Sequence, residues 1–101
     1  MDFDGVVERK GNFIIFETKD FGVKIPEAQL ITFRNMWERG GITIMFIYGK
    51  QCPEKIYYWP PKNGKRRVMG PYYGIDSARN IVSRWYRYSN LNPYYRRENV
   101  I

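Results

Sequence analysis

Two apolar runs, residues 13–16 and 42–48 with only Thr43 polar, constrain this chain more than any other feature. Side chains alternate between the two faces of a strand, so consecutive apolar positions require cover on both faces. The stretch between the runs carries a helical period. Pro26 suits a first helical turn, Glu27 sits where the helix dipole favours acid, and Leu30, Phe33 and Trp37 recur at i, i+3 and i+7. Gly40-Gly41 then stops the helix. Two buried strands joined by a helix predict an α/β (α+β) chain with a mixed central β-sheet flanked by helices. With 101 residues there is room for one domain and not for a second.

The remaining elements follow from local signals. Residues 2–9 alternate and are rich in Val, Lys10-Gly11-Asn12 marks a turn, and residues 13–19 form a central second strand. Residues 55–59 read as a strand that stops at Pro60-Pro61. Asn63-Gly64 is a tight-hairpin dipeptide, with residues 66–69 as the return strand. Asp76 or Ser77 can cap a last helix whose inner stripe is Ala78, Val82 and Trp85, joined by Ile81 and Tyr88. That placement leaves Arg79, Arg84 and Arg87 outside. Residues 91–101 read as a loosely ordered basic tail.

The absence of histidine narrows the chemistry. With Cys52 the only cysteine, internal disulfides and Ser-His-Asp or Cys-His catalysis are excluded, and zinc is disfavoured. A general acid or base must be a carboxylate, Lys, Tyr or a metal-bound water. Charge is segregated. Residues 1–61 carry eight basic and eight acidic side chains, whereas residues 62–101 carry nine basic and two acidic ones. Ten aromatic residues between Tyr57 and Tyr95 interleave with that excess. The pattern predicts a nucleic-acid partner, with phosphate contacts at Lys62, Lys65, Arg66 and Arg67 on the hairpin tip and at Arg79, Arg84 and Arg87. Tyr57, Tyr58, Trp59, Tyr72 and Tyr73 divide between base stacking and core packing. No apolar run nears the ~20 residues of a membrane helix, and no signal-peptide pattern opens the chain, so the expected location is cytoplasmic, away from membranes.

Alternation along the second strand puts Glu17 and Lys19 on one face, about 6.6 Å apart. A two-residue turn at Lys10-Gly11, or a four-residue turn over 9–12, sets Asp4 directly opposite Glu17. A Gly11-Asn12 turn sets it opposite Lys19, and a three-residue loop moves it to the other face. Opposed carboxylates repel, which is tolerable where a cation lies between them. Their oxygens suit a hard ion such as Mg²⁺, and Lys19 would reach the same site.

Asp4, then twelve intervening residues, then Glu17-Thr18-Lys19, resembles the PD-(D/E)xK nuclease signature. Gln29 follows Lys19 by ten residues on the next helix, which is similar to the virus-type replication-repair and Holliday-junction-resolvase-like branches. The likeness covers residues 1–50, a minimal restriction-endonuclease-like core. Residues 51–90 form a basic aromatic hairpin and helix that match no named motif. The resemblance implies that Asp4, Glu17 and the Thr18 carbonyl bind Mg²⁺ or Mn²⁺, that Lys19 positions or activates the attacking water, and that Gln29 orients either one. It implies 3′-hydroxyl and 5′-phosphate products. The superfamily's usual first helix has no counterpart before Asp4, so the C-terminal helix or the second subunit of a homodimer is expected to take its place.

The leading function is therefore a structure-directed, Mg²⁺-dependent DNA endonuclease. The alternative is a non-catalytic nucleic-acid-binding protein on a nuclease-like fold, and a third reading is an inhibitor or regulator of a nucleic-acid enzyme. Acids set where phosphates approach separate the first from the second. Steep salt dependence of binding separates the second from the third.

Overall fold

The computed structural model describes residues 4–49, 51–62 and 68–95. The elements are β1 (Gly5–Arg9), β2 (Asn12–Lys19), α1 (Glu27–Glu38), β3 (Ile42–Tyr48), β4 (Lys55–Trp59), β5 (Met69–Tyr73) and α2 (Gly74–Leu91). All five strands join one sheet in the order β1-β2-β3-β4-β5. Only β2 and β3 pair in parallel, and α1 supplies the crossover that a parallel pair requires. The expected mixed α+β sheet is therefore present.

Each apolar run divides its side chains between two cores. Ile15, Ile44 and Phe46 pack with Phe33 and Trp37 of α1 and with Trp59. Ile14 and Met45 pack with Ile56 and with Ala78, Ile81 and Trp85 of α2. The C-terminal helix thus covers the face opposite α1. Trp37 also donates its indole N–H to the Pro60 carbonyl, pinning the end of α1 to the end of β4.

The β1–β2 hairpin closes through Lys10 and Gly11, with Arg9 paired to Asn12. Both turn residues have positive φ, 51° and 83°, as a type I′ turn demands. Asparagine tolerates that region better than lysine does. Lys10→Asn should therefore stabilise the protein by part of the roughly 1–2 kcal/mol that the left-handed region costs an ordinary residue. The check is a urea midpoint that rises with an unchanged m-value. A lower midpoint would contradict this turn geometry.

Three expectations are corrected. Of the return strand expected over residues 66–69, Met69 begins β5 and Val68 lies outside it, while Arg66 and Arg67 lie outside the described residues. Tyr58 does pair with Met69, positions equidistant from the Asn63-Gly64 step, but the ladder goes no closer to the turn. Pro60 and Pro61 have no N–H to extend it. The Asn63-Gly64 step itself lies outside the described residues. Neither Asp76 nor Ser77 caps α2, which starts at Gly74 behind Tyr73 with Asp76 in its first turn. Nor does order end near Asn90. Asn12, 2% exposed, donates its side-chain N–H to the Asn92 carbonyl, and Arg9 Nε donates to Asn90 Oδ1. Tyr94 donates its backbone N–H to Lys10 O and its hydroxyl to Arg39 O. The Tyr94 ring lies where a side chain on Gly41 would be, with a Cβ there only 2.6 Å from a ring carbon. Residues 96–101 of the expected tail lie outside the described residues.

Candidate functional site

The site is built on the last residues of β2. Glu17 and Lys19 share the α1 face, as alternation requires, next to Phe46 and Tyr48 of β3 in the parallel register. Glu17 is 4% exposed, a carboxylate that follows the apolar Phe13 and Ile15 on this face of β2. Lys19 Nζ stands 3.4 Å from Glu17 Oε1 and is itself only partly exposed. A buried charge needs a partner of this kind. Gln29 is half-buried in the first turn of α1, one position before the core residue Leu30. Because α1 crosses back over the sheet, its first turn lies at the end where β2 finishes. Gln29 makes no hydrogen bond to Glu17 or Lys19 among the described residues.

Asp4 departs from the expected geometry. The β1–β2 register is the one that would bring it opposite Glu17, but the ladder's last pair is Gly5 with Phe16. Asp4 N–H donates to Phe16 O at 3.2 Å instead of advancing along β2. Its carboxylate Oδ2 accepts the Thr18 backbone N–H at 2.7 Å and the Thr18 hydroxyl at 2.9 Å. A carboxylate accepting two donors takes the place of the next ladder bond and avoids facing Glu17 directly. Asp4 and Glu17 thus each have a partner of their own, one on each side of Thr18. Among the described residues no group of three acidic, His or Cys side chains could hold a metal ion.

Those of the expected phosphate-holding residues that the structure describes are not gathered at this site. Lys62 is engaged by Glu38 of α1. Lys65, Arg66 and Arg67 lie outside the described residues. Arg79, Arg84 and Arg87 are exposed on α2, across the sheet from Glu17, and Arg79 is 3.9 Å from Asp76. Two basic residues outside the expected phosphate-holding set, Lys24 and Lys55, stand at this end of the sheet, Lys55 opposite Tyr48, which itself neighbours Lys19. With Phe21, Gly22, Tyr48 and Tyr57 they line a cleft of about 510 Å³. Lys55 Nζ lies 5.5 Å from the Tyr57 ring centroid. Burial pushes the Tyr48 phenol above its ordinary range, and nearby Tyr57 adds to this while Lys55 opposes it, so Tyr48 stays a protonated donor at neutral pH. The signal for Lys55 was present in strand alternation, which sets it on the same face as Tyr57. Lys24 sits in an irregular linker that carries no periodicity.

Comparison with family models, curated proteins and solved structures found no match to this chain. Among the described residues no helix is long and apolar enough to cross a membrane.

Proposed function

We propose that this chain is a Mg²⁺- or Mn²⁺-dependent DNA endonuclease of the PD-(D/E)xK type. The observation that carries the reading is the Glu17–Lys19 pair, buried at the end of a central strand with Asp4 at the end of the neighbouring one. A carboxylate with a lysine neighbour, set beside a cationic cleft, suits phosphodiester hydrolysis better than it suits phosphate binding alone. The donor set fits a hard cation, since Mg²⁺ typically takes one or two carboxylates and keeps several waters. Glu17 and Asp4 would hold the ion with the Thr18 carbonyl, and the ion would supply Lewis-acid stabilisation of the phosphate's charge. Lys19 would place its ammonium beside the attacking water and offset the added negative charge. Gln29, at the same end of the sheet, would orient Lys19 or that water. A cytoplasmic place and a preference for branched or flapped DNA belong to the same reading.

One observation favours the alternative of a non-catalytic nucleic-acid-binding protein. Asp4 already spends Oδ2 on Thr18, so metal binding would have to use its other oxygen or displace those bonds. Cleavage of branched, flapped and linear DNA with and without Mg²⁺ or Mn²⁺ decides between the two. Cleavage of no form under either metal would sink the nuclease reading.

The metal can be tested without DNA. An ion bound only by the folded state stabilises it by about 2.7 kcal/mol at a hundredfold excess over Kd. A domain of this size should then melt roughly 10 °C or more higher. The shift should vanish in Glu17→Gln. No shift in the wild type at saturating metal would mean that these carboxylates do not form a metal site.

A further inference from the structure

The cleft beside Glu17 and Lys19 has more features than hydrolysis needs. Register sets Lys19, Tyr48 and Lys55 side by side on β2, β3 and β4. With strands about 4.8 Å apart, this row alternates cation, aromatic and cation over roughly 10 Å. Phe21 and Lys24 of the β2–α1 connection form the opposite lip. Tyr48 and Tyr57 pack edge to face, with centroids 6.3 Å apart. Both rings also line a second, apolar slot of about 200 Å³, shared with Ile25, Leu30 and Trp59. The tyrosine pair therefore has lysines on one side and an apolar recess on the other. Neither Lys24 nor Lys55 forms an ion pair among the described residues, so both are available to an anion.

The complementary ligand carries a flat ring and an anionic group on one short unit. An unpaired nucleotide has both. Duplex DNA offers phosphates but keeps its bases stacked, so it would leave the ring faces and the slot unused. We infer that this cleft seats an unpaired nucleic-acid strand, with phosphates at Lys24 and Lys55 and a base against Phe21 and Tyr57. The inference rests on the nuclease reading for its place next to the chemistry, and on the cleft alone for binding.

The test titrates oligothymidylate and a duplex of the same length in a salt series without divalent metal. The proteins are wild type, Lys24→Ser/Lys55→Ser and Phe21→Ser. Phe21 is 62% exposed and Lys24 lies on the surface, so these variants should melt like wild type. Wild type should bind the single strand about tenfold or more tighter than the duplex, one stacked base being enough for that. The lysine variant should lose about 0.7 from the single-strand salt slope for each contact removed. Phe21→Ser should weaken single-strand binding by roughly fivefold or more and leave duplex binding unchanged. Equal affinity for the two forms, or an unchanged slope without the lysines, overturns the inference. Single-strand binding of this kind with no cleavage under any metal would keep the cleft and remove the nuclease reading. Cleavage that ignores Lys24 and Lys55 would do the reverse.

Discussion

Glu17→Gln is expected to abolish metal-dependent DNA cleavage, a loss of about a hundredfold to a thousandfold or more, as when a preorganised electrostatic group is removed. The substitution keeps the volume of a side chain that is 4% exposed, so folding should survive it. Lys19→Ala should lose activity to a similar extent, and it should also lower stability, because it leaves Glu17 buried without the ammonium now 3.4 Å away. An unpaired buried polar group costs about 1–3 kcal/mol, and more when charged. Lys19→Arg keeps the charge and should restore that stability while recovering little activity, because a planar guanidinium cannot replace a compact ammonium beside a water. Cleavage rates paired with thermal melts separate the two effects. If Lys19→Arg cleaves as wild type does, Lys19 serves only as a counter-ion to Glu17.

The largest effect on stability should come from Phe33→Ala. Phe33 is fully buried in α1 and meets Phe46 of β3 edge to face, with centroids 5.5 Å apart. Truncating a buried phenylalanine to alanine costs about 3–5 kcal/mol. Domains of this size hold only about 5–15 kcal/mol in total, so the melting temperature should fall by roughly 12 °C or more. Ile31→Ala on the same helix is the control, since Ile31 is 49% exposed and should change stability by no more than about 0.5 kcal/mol. Equal shifts for the two variants would mean that α1 does not dock through the Phe33 face.

The elements that could be read from sequence are those whose side-chain period matches their burial. The bounds of β3 and β4 agree with their apolar runs, and α1 buries Phe33 and Trp37 as their spacing requires. The β1–β2 register was one of several alternatives, and turn geometry at Lys10 and Gly11 selected it. Elements decided by tertiary contact were less legible. The start of β5 depends on two prolines that follow the partner strand and cannot donate to the ladder. The order of residues 90–95 depends on acceptors and glycines at the other end of the sequence. Of the candidate site, the Glu17–Lys19 pairing was implied by alternation within one strand. The turn of Asp4 toward Thr18 was not, because it is a choice between a ladder bond and a side-chain bond with the same donor. The Lys24–Lys55 cleft joins a linker to a strand 31 residues away, a distance over which periodicity is silent.

The bonds from Arg9 and Asn12 to Asn90 and Asn92 span 81 and 80 residues. On a ribosome, the first hairpin emerges about 80 residues ahead of the partners that fasten its turn. A nascent chain halted before residue 90 would hold Glu17 and Lys19 on a hairpin with neither fastening, and with α2 incomplete above the opposite face. Vectorial synthesis would then delay fastening of the hairpin's turn end until residues 90–92 have emerged.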